Sequence, residues 1–176
     1  CYSLATGEPI WLHGDRVRFS AVEVNGGDGP HATPVIVGEL TYALGATGLL
    51  NCVKTRTGEA VWQHNVLVDA GEPGTPAKNI EWGLSGAPLV VNDLVIVIAG
   101  GTAGRSVIAY DAATGEQRWA AGKFPASYGG PRVETLGGVT QVLAYHGLGL
   151  SSHDLATGKQ LWSFDWENMP KVNAAQ

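Results

Sequence analysis

Charged side chains are scarce in this sequence, and it has no long apolar run. Asp, Glu, Lys and Arg make up 15% of the chain, against about 25% in an average soluble domain. The formal net charge is −5, so there is no basic field that would attract nucleic acid or anionic lipid. No apolar stretch approaches the roughly 18 residues that cross a bilayer. We therefore expect neither a nucleic-acid partner nor a transmembrane segment.

Sequence motifs for common catalytic chemistry are also missing. The glycine-rich segment 100–104 is not followed by the Lys and the helix of a phosphate-binding loop. The chain contains no Gly-x-Ser-x-Gly sequence, and its two cysteines, at positions 1 and 52, are not adjacent. We predict no catalytic residue on this basis, and whether the chain belongs to an enzyme stays open.

Glycine, by contrast, is abundant, and four of the 25 glycines belong to a repeat. In each copy Thr-Gly is followed by three variable residues and Trp, and the copies occupy residues 1–11, 52–62, 109–119 and 152–162. Spacings of roughly 40 to 60 residues indicate a supersecondary unit that buries its apolar surface against copies of itself. The longer spacings predict insertions at 14–30 and 69–80, which we expect to form surface loops. Because the chain opens inside a motif copy, we expect it to be a piece of a longer polypeptide.

One complete repeat contains four short segments rich in β-forming residues. They lie at 87–91, 94–99, 107–111 and 116–120, with turn signals between them. The segment 94–98 is apolar at every position, which predicts cover on both of its faces. In a chain of antiparallel strands without helices, that cover must come from neighbouring sheets, as in a β-propeller. The predicted fold class is all-β, a partial β-propeller of four-stranded antiparallel blades.

The fixed residues of the motif each have a structural reason. Glycine supplies the positive φ that closes the hairpin turn, and an Asp before the turn accepts hydrogen bonds from its amides. This predicts structural roles for Gly7, Gly58, Gly115 and Gly158, and for Asp111 and Asp154. Ser3 and Lys54 replace the Asp in the other two copies, where we expect looser turns. The tryptophans at 11, 62, 119 and 162 each need burial and an acceptor for the indole N–H, and the next blade can supply both.

The motif Ala-x-Asp-x-x-Thr-Gly-x-x-x-Trp resembles the repeat of the PQQ-like (quinoprotein-type) β-propeller family. That family includes quinoprotein alcohol dehydrogenases and BamB-like outer-membrane assembly proteins. Residues 109–119 match the motif at every fixed position, and 152–162 depart from it only at Ala. The resemblance implies an exported protein, usually with eight blades, in which the motif tryptophans Trp11, Trp62, Trp119 and Trp162 lock successive blades together.

On that resemblance the chain supplies about half of an eight-bladed ring. Residues 1–13 would be the last two strands of one blade, and 31–66, 84–123 and 128–166 would be complete blades. Residues 167–176 would begin the next blade. The remaining half of the propeller is thus the first expected partner.

Candidate binding residues come from aligning the repeats on the prolines that open the inner strands, at 34, 88 and 131. The residue three positions before each proline should approach one mouth of the central channel, where propellers bind ligands. This predicts a channel rim formed by His31, Ser85, Tyr128 and, by extrapolation of the register, Asn173. Glu81 and Trp82 lie just upstream of Ser85 and add a carboxylate and an aromatic ring. Such a rim could stack a planar ligand on Trp82 or Tyr128 and orient it, or an ion, with the polar groups. The alternative is that these residues only cap strand ends.

The remaining cysteines and histidines read as structural residues. Cys1 and Cys52 hold the same motif position on adjacent blades, roughly 10 Å apart, so we expect two reduced, buried thiols. His13 and His64 each follow a motif Trp by two residues and should not converge on a metal. His146 and His153 lie within predicted strands, where we expect their nitrogens to be hydrogen-bonded. No metal site is predicted.

The sequence leaves two main functions open. The first is a non-catalytic binding or assembly scaffold, exported to the periplasm, that contacts other envelope proteins. The second is a PQQ-dependent dehydrogenase that oxidises alcohols or sugars with a quinone cofactor and calcium. Many dehydrogenases of the family carry two adjacent cysteines against the cofactor, and their absence here favours the scaffold. PQQ and calcium are expected only under the second hypothesis.

Overall fold

The computed structural model describes residues 1–19, 29–73, 80–166 and 173–174. Three four-stranded antiparallel sheets follow one another along this part of the chain. Blade 1 contains β1 (Val35–Val37), β2 (Leu40–Leu44), β3 (Leu49–Lys54) and β4 (Ala60–Asn65). Blade 2 contains β5 (Leu89–Val91), β6 (Leu94–Ile98), β7 (Val107–Asp111) and β8 (Gln117–Ala121). Blade 3 contains β9 (Arg132–Leu136), β10 (Val139–His146), β11 (Gly149–Asp154) and β12 (Gln160–Asp165). The all-β, partial-propeller fold class is confirmed.

Residues 1–13 contain a hairpin in which Tyr2 and Pro9 form an isolated antiparallel bridge. The proposed opening of a further blade at 167–176 lies outside the described residues, apart from Asn173 and Ala174.

Strand β6 has apolar contacts on both of its faces. Val95 and Val97 belong to the core cluster between blades 1 and 2, together with Tyr42 and Leu50. Ile96 and Ile98 belong to the cluster between blades 2 and 3. Successive side chains of a strand point to opposite faces, so an unbroken apolar run fills two cores. This is the two-sided cover that residues 94–98 predict.

A single turn of helix, α1 (Val66–Asp69), interrupts the all-β pattern directly after β4. The Asn65 side chain caps it by accepting hydrogen bonds from the amides of Leu67 and Val68. Val66, Leu67, Ala70 and Ile80 are buried. The expectation of a helix-free chain is therefore wrong here, and both ends of the predicted surface loop 69–80 belong to the core between blades 1 and 2.

The motif tryptophans join consecutive blades through the same pair of contacts. The indole N–H of Trp11 donates to the carbonyl of Thr55, that of Trp62 to Ala112, and that of Trp119 to Leu155, at 3.0 to 3.1 Å. Each indole also lies on the motif glycine of the next repeat. A Cβ at Gly58 would come within 2.5 Å of Trp11 and one at Gly115 within 2.8 Å of Trp62, and at Gly158 it would overlap Trp119.

The fourth tryptophan has different surroundings. Trp162 is 36% exposed, and its indole N–H donates to the Gln141 side chain of its own blade at 2.7 Å. Gly7, at the other end of the series, has no neighbouring atom within 4 Å of where a Cβ would stand. Trp162 and Gly7 therefore serve as references for the three tryptophan–glycine pairs that join consecutive blades.

The turns that lack the motif Asp keep the same backbone closure. The amides of Gly7 and Gly58 donate to the carbonyls of Ser3 and Lys54, as that of Gly115 does to Asp111. The differences lie in the side chains. Asp111 and Asp154 accept from turn amides and from a Thr hydroxyl, Ser3 accepts one amide, and Lys54 pairs with Glu59.

The two cysteines differ in burial. Cys52 is buried and Cys1 is exposed, and both thiols are free. The expectation of a buried Cys1 is therefore wrong, because its hairpin has no covering blade among the described residues. Burial raises the pKa of Cys52 to about 11, so this thiol stays protonated and inert at neutral pH.

Two buried histidines lie in blade 3. The nitrogens of His153 both have partners, the Ser151 hydroxyl at 3.0 Å and the Gly158 carbonyl at 2.9 Å, as predicted. His146 stacks on Phe124 with ring centroids 3.7 Å apart, and its Nδ1 accepts from the amide of Leu148. Its Nε2 has no hydrogen-bond partner within the described chain, so the prediction of a fully hydrogen-bonded His146 is wrong. Burial, with a smaller effect of His153, lowers the pKa of His146 to about 4.

Replacing Trp119 by Ala should destabilise the protein by about 3 to 5 kcal/mol, the range for large core truncations. Trp162→Ala should cost about half as much, because that ring is partly exposed and covers no neighbouring glycine. Urea unfolding followed by circular dichroism measures both. Equal losses for the two variants would show that the interblade contact adds nothing to burial.

Gly158→Ala should destabilise more than Gly7→Ala. Both glycines have a positive φ, +71° and +73°, which costs an alanine about 1 kcal/mol or more. Only at 158 does the new methyl group collide with an indole, adding about 1 to 3 kcal/mol of overpacking strain. Thermal melts of the two variants give the difference directly, and identical melting temperatures would rule out the packing contribution.

Acidification from about pH 6.5 to pH 4 should destabilise the fold through His146. Its pKa is lower in the folded than in the unfolded chain, so the unfolded state binds more protons in this window and stability falls as pH falls. Each pKa unit corresponds to about 1.4 kcal/mol, which puts the loss on the order of 2 to 3 kcal/mol. Urea unfolding at several pH values should show a shallower slope for His146→Asn. The pKa values of His153, Asp111 and Asp154 are also lowered, and these groups contribute to the slope that remains. An unchanged slope would contradict the assignment.

Candidate functional site

The three inner strands begin one residue after the prolines used to align the repeats. β1, β5 and β9 start at Val35, Leu89 and Arg132, directly after Pro34, Pro88 and Pro131. The three strands are neighbours in space. The segments that precede them therefore meet at one end of the blades.

Two glycines allow these segments to touch backbone to backbone. A Cβ on Gly86 would lie 2.5 Å from the carbonyl oxygen of Gly129, and one on Gly130 would lie 2.8 Å from that of Ala87. Any larger residue would separate blade 2 from blade 3 at the inner edge. The close approach brings together the side chains that flank the two glycines.

Four of the six residues predicted for the channel rim are in contact. The rings of Trp82 and Tyr128 stack, with centroids 5.3 Å apart and planes 19° from parallel, and the Trp82 amide donates to the Tyr128 hydroxyl at 3.3 Å. His31 Nδ1 donates to the Trp82 carbonyl at 2.9 Å. The Ser85 hydroxyl donates to the Tyr128 carbonyl at 3.3 Å. We call His31, Trp82, Ser85 and Tyr128 the rim cluster.

The other two predicted residues have different environments. Glu81 is exposed beside Trp82. Asn173 is buried; its side-chain amide donates to the His146 carbonyl at 2.7 Å, and its own carbonyl accepts from the Tyr128 amide at 3.0 Å. Asn173 thus supports the backbone beneath Tyr128, and the capping alternative describes it best.

A cavity of about 320 Å³ opens between the three inner strands beside the rim cluster. His31, Ser85 and Tyr128 line it, together with residues that the sequence analysis did not select: Thr33, Pro88, Leu89, Pro131 and Arg132. The aligned repeats contain a sequence signal that points to Arg132. In the aligned repeats, Val35 and Leu89 follow the prolines of blades 1 and 2, so a charged residue after Pro131 stands out.

The aromatic pair keeps an exposed face. Trp82 is 44% exposed, and the stacking covers only the face of its ring that meets Tyr128. Burial, with a smaller contribution from the negative charge of Glu81, raises the pKa of Tyr128, although the Trp82 amide opposes the shift. The phenol therefore stays protonated at neutral pH and keeps a proton that it can donate in a hydrogen bond.

A second, larger groove of about 690 Å³ lies at the opposite end of blade 1, along the β1–β2 and β3–β4 turns, and includes Glu39, Lys54 and Arg56. Converging polar and aromatic side chains mark a binding site better than volume does. The rim cavity is therefore the stronger candidate.

No group of three or more His, Cys, Asp or Glu side chains with metal-binding geometry occurs in residues 1–19, 29–73, 80–166 and 173–174. His13 and His64 contact Asn51 and Asp69 respectively. Among the described residues, no helix is long and apolar enough to cross a membrane.

Comparisons with known proteins agree with this architecture. A curated relative, the outer membrane protein assembly factor BamB of Burkholderia pseudomallei (strain K96243), is 29% identical, with 74% of this chain and 41% of the relative covered. The crystal structure of BamB from Moraxella catarrhalis superposes with a TM-score of 0.59 at 18% identity, over 90% of this chain and 39% of that one. Quinohemoprotein alcohol dehydrogenase from Comamonas testosteroni gives 0.65 at 17% identity, over 93% and 31%.

The two structural likenesses show the propeller fold alone, and the chain spans about two-fifths of the length of the curated relative. The family model described as outer membrane protein assembly factor BamB matches residues 1–175. The chain therefore belongs to this family.

Proposed function

We propose that this protein is a non-catalytic scaffold for outer membrane protein assembly and that it binds its partner at the channel rim. The family match over residues 1–175 supports the assignment to an assembly factor. The similarity to the outer membrane protein assembly factor BamB of Burkholderia pseudomallei supports a role in the same process. The partner would be another protein of the cell envelope.

The observation that carries the proposal is that polar atoms of the rim cluster are hydrogen-bonded to one another. His31 Nδ1, the Ser85 hydroxyl and the Trp82 amide are all used to hold the cluster together. An arrangement of this kind orients a half-exposed indole as a rigid surface. Exposed, preorganised aromatic rings are the usual energetic centres of protein interfaces.

Export to the periplasm and a complete ring belong to the same proposal. An assembly factor for outer membrane proteins must reach the compartment where its partners fold. The partly exposed Trp162 and the uncovered Gly7 are suited to contact further blades, which would be the remaining half of the propeller.

The alternative, a PQQ-dependent dehydrogenase for alcohols or sugars, has the fold likeness to quinohemoprotein alcohol dehydrogenase in its favour. It would need calcium ligands as well as an aromatic face on which the quinone could stack. Trp82 keeps one exposed face, but no group of His, Cys, Asp or Glu side chains in the described part of the chain is suited to calcium. We therefore favour the scaffold.

In a strain that lacks the native gene, Trp82→Ala should reduce the folded fraction of outer membrane β-barrel proteins towards the level of the deletion. Loss of a central interface aromatic typically costs 2 kcal/mol or more, or about 30-fold in affinity. Heat-modifiable migration on gels measures the folded fraction. Tyr2→Ala is the control, since Tyr2 is an exposed aromatic outside the rim cluster.

A normal folded fraction in the deletion strain would contradict the assembly role. Titration of the purified full-length protein with PQQ and calcium, followed by dye reduction with simple alcohols, tests the alternative. Quinone retention at micromolar concentration with alcohol-dependent turnover would replace the scaffold by the dehydrogenase.

A further inference from the structure

The cavity beside the rim cluster has the chemistry of a carboxylate site. We propose that it receives an acidic side chain of an extended partner segment, with Arg132 as the counter-charge and Tyr128 as a hydrogen-bond donor. This inference rests on the proposed function, because it specifies the kind of protein segment that the rim binds.

The charge of the cavity differs from that of the chain. The whole sequence carries a formal charge of −5, yet Arg132 is the one formally charged residue among the described residues that line the cavity. Arg132 is exposed and makes no ion pair or side-chain hydrogen bond within the described chain. An unpaired guanidinium at the mouth of a concave site favours an anion, and its planar fork matches a carboxylate.

The hydroxyl of Tyr128 gives the site a neutral donor. It accepts from the Trp82 amide, which leaves its own proton available for a ligand. Glu81 is the opposing charge near this hydroxyl; it lies outside the cavity lining, so a carboxylate is directed towards Arg132. Donor and cation thus both come from the segment that leads into β9.

The rest of the wall suits a peptide better than a free inorganic anion. Pro88, Leu89 and Pro131 supply apolar surface next to Arg132. A volume of about 320 Å³ is at the lower end of the range for ligand pockets. It accommodates one acidic side chain with an apolar neighbour, while the remainder of the segment lies across the rim.

The direct test uses a short fluorescein-labelled peptide in which aspartate stands next to phenylalanine, and a matched peptide with asparagine in place of aspartate. Fluorescence anisotropy with the purified full-length protein measures both affinities. We expect the aspartate peptide to bind about tenfold more tightly, in line with one charge-assisted pair. Arg132→Gln should remove this preference, and Arg132→Lys should restore part of it.

Arg56→Gln is the matched control. It removes the same charge from an exposed arginine in the groove at the opposite end of blade 1, and it should leave binding unchanged. Circular dichroism of each variant verifies folding. Equal affinity for the two peptides, or a preference that survives Arg132→Gln, would overturn the proposal. So would inorganic phosphate at millimolar concentration displacing the peptide completely, because the site would then be a simple anion site.

The test separates this inference from the proposed function. If the aspartate peptide shows no preference while Trp82→Ala still impairs assembly in cells, the rim binds a partner by other chemistry and only the carboxylate site is wrong. If the peptide binds as expected but the deletion strain assembles outer membrane proteins normally, the carboxylate site stands and the assembly role is wrong.

Discussion

The contact between an indole ring and a glycine in the following repeat sets the relation between neighbouring blades. It occurs at Trp11 with Gly58, Trp62 with Gly115 and Trp119 with Gly158. The glycine is needed twice over, because its positive φ closes the hairpin turn and its missing Cβ makes room for the ring. The indole N–H then donates to a carbonyl of the same turn. One short motif therefore serves as both a turn within a blade and a receptor for the previous blade.

The channel rim depends on this spacing, although it lies at the inner edge of the sheets. Once the outer strands are fixed to the following turns, β1, β5 and β9 come close enough for Gly86 and Gly130 to contact the backbone opposite them. The cavity between those strands takes its lining from all three blades. No single repeat contains the site, which explains why a motif search within one repeat finds no chemistry.

The same fold likeness links this chain to an assembly factor and to an alcohol dehydrogenase, so the fold alone does not choose a function. The choice comes from what the rim side chains do. Here hydrogen bonds join His31, Trp82, Ser85 and Tyr128 to each other, and Tyr128 covers one face of the indole. A group of side chains that orient one another in this way supports the proposed role as a binding scaffold.

The sequence by itself determined the blade architecture. The repeated motif, the unbroken apolar run of β6 and the proline before each inner strand are each visible within a short stretch of sequence, because turns, strands and their burial depend mainly on neighbouring residues. Only the tertiary structure decided which side chains meet at the cavity, adding Arg132 and Thr33 and placing Asn173 in a buried supporting role. It also decided that α1 fills the core after β4 and that His146 Nε2 has no hydrogen-bond partner within the described chain. These outcomes depend on how separate blades pack, and packing between distant segments leaves no periodic signal in the chain.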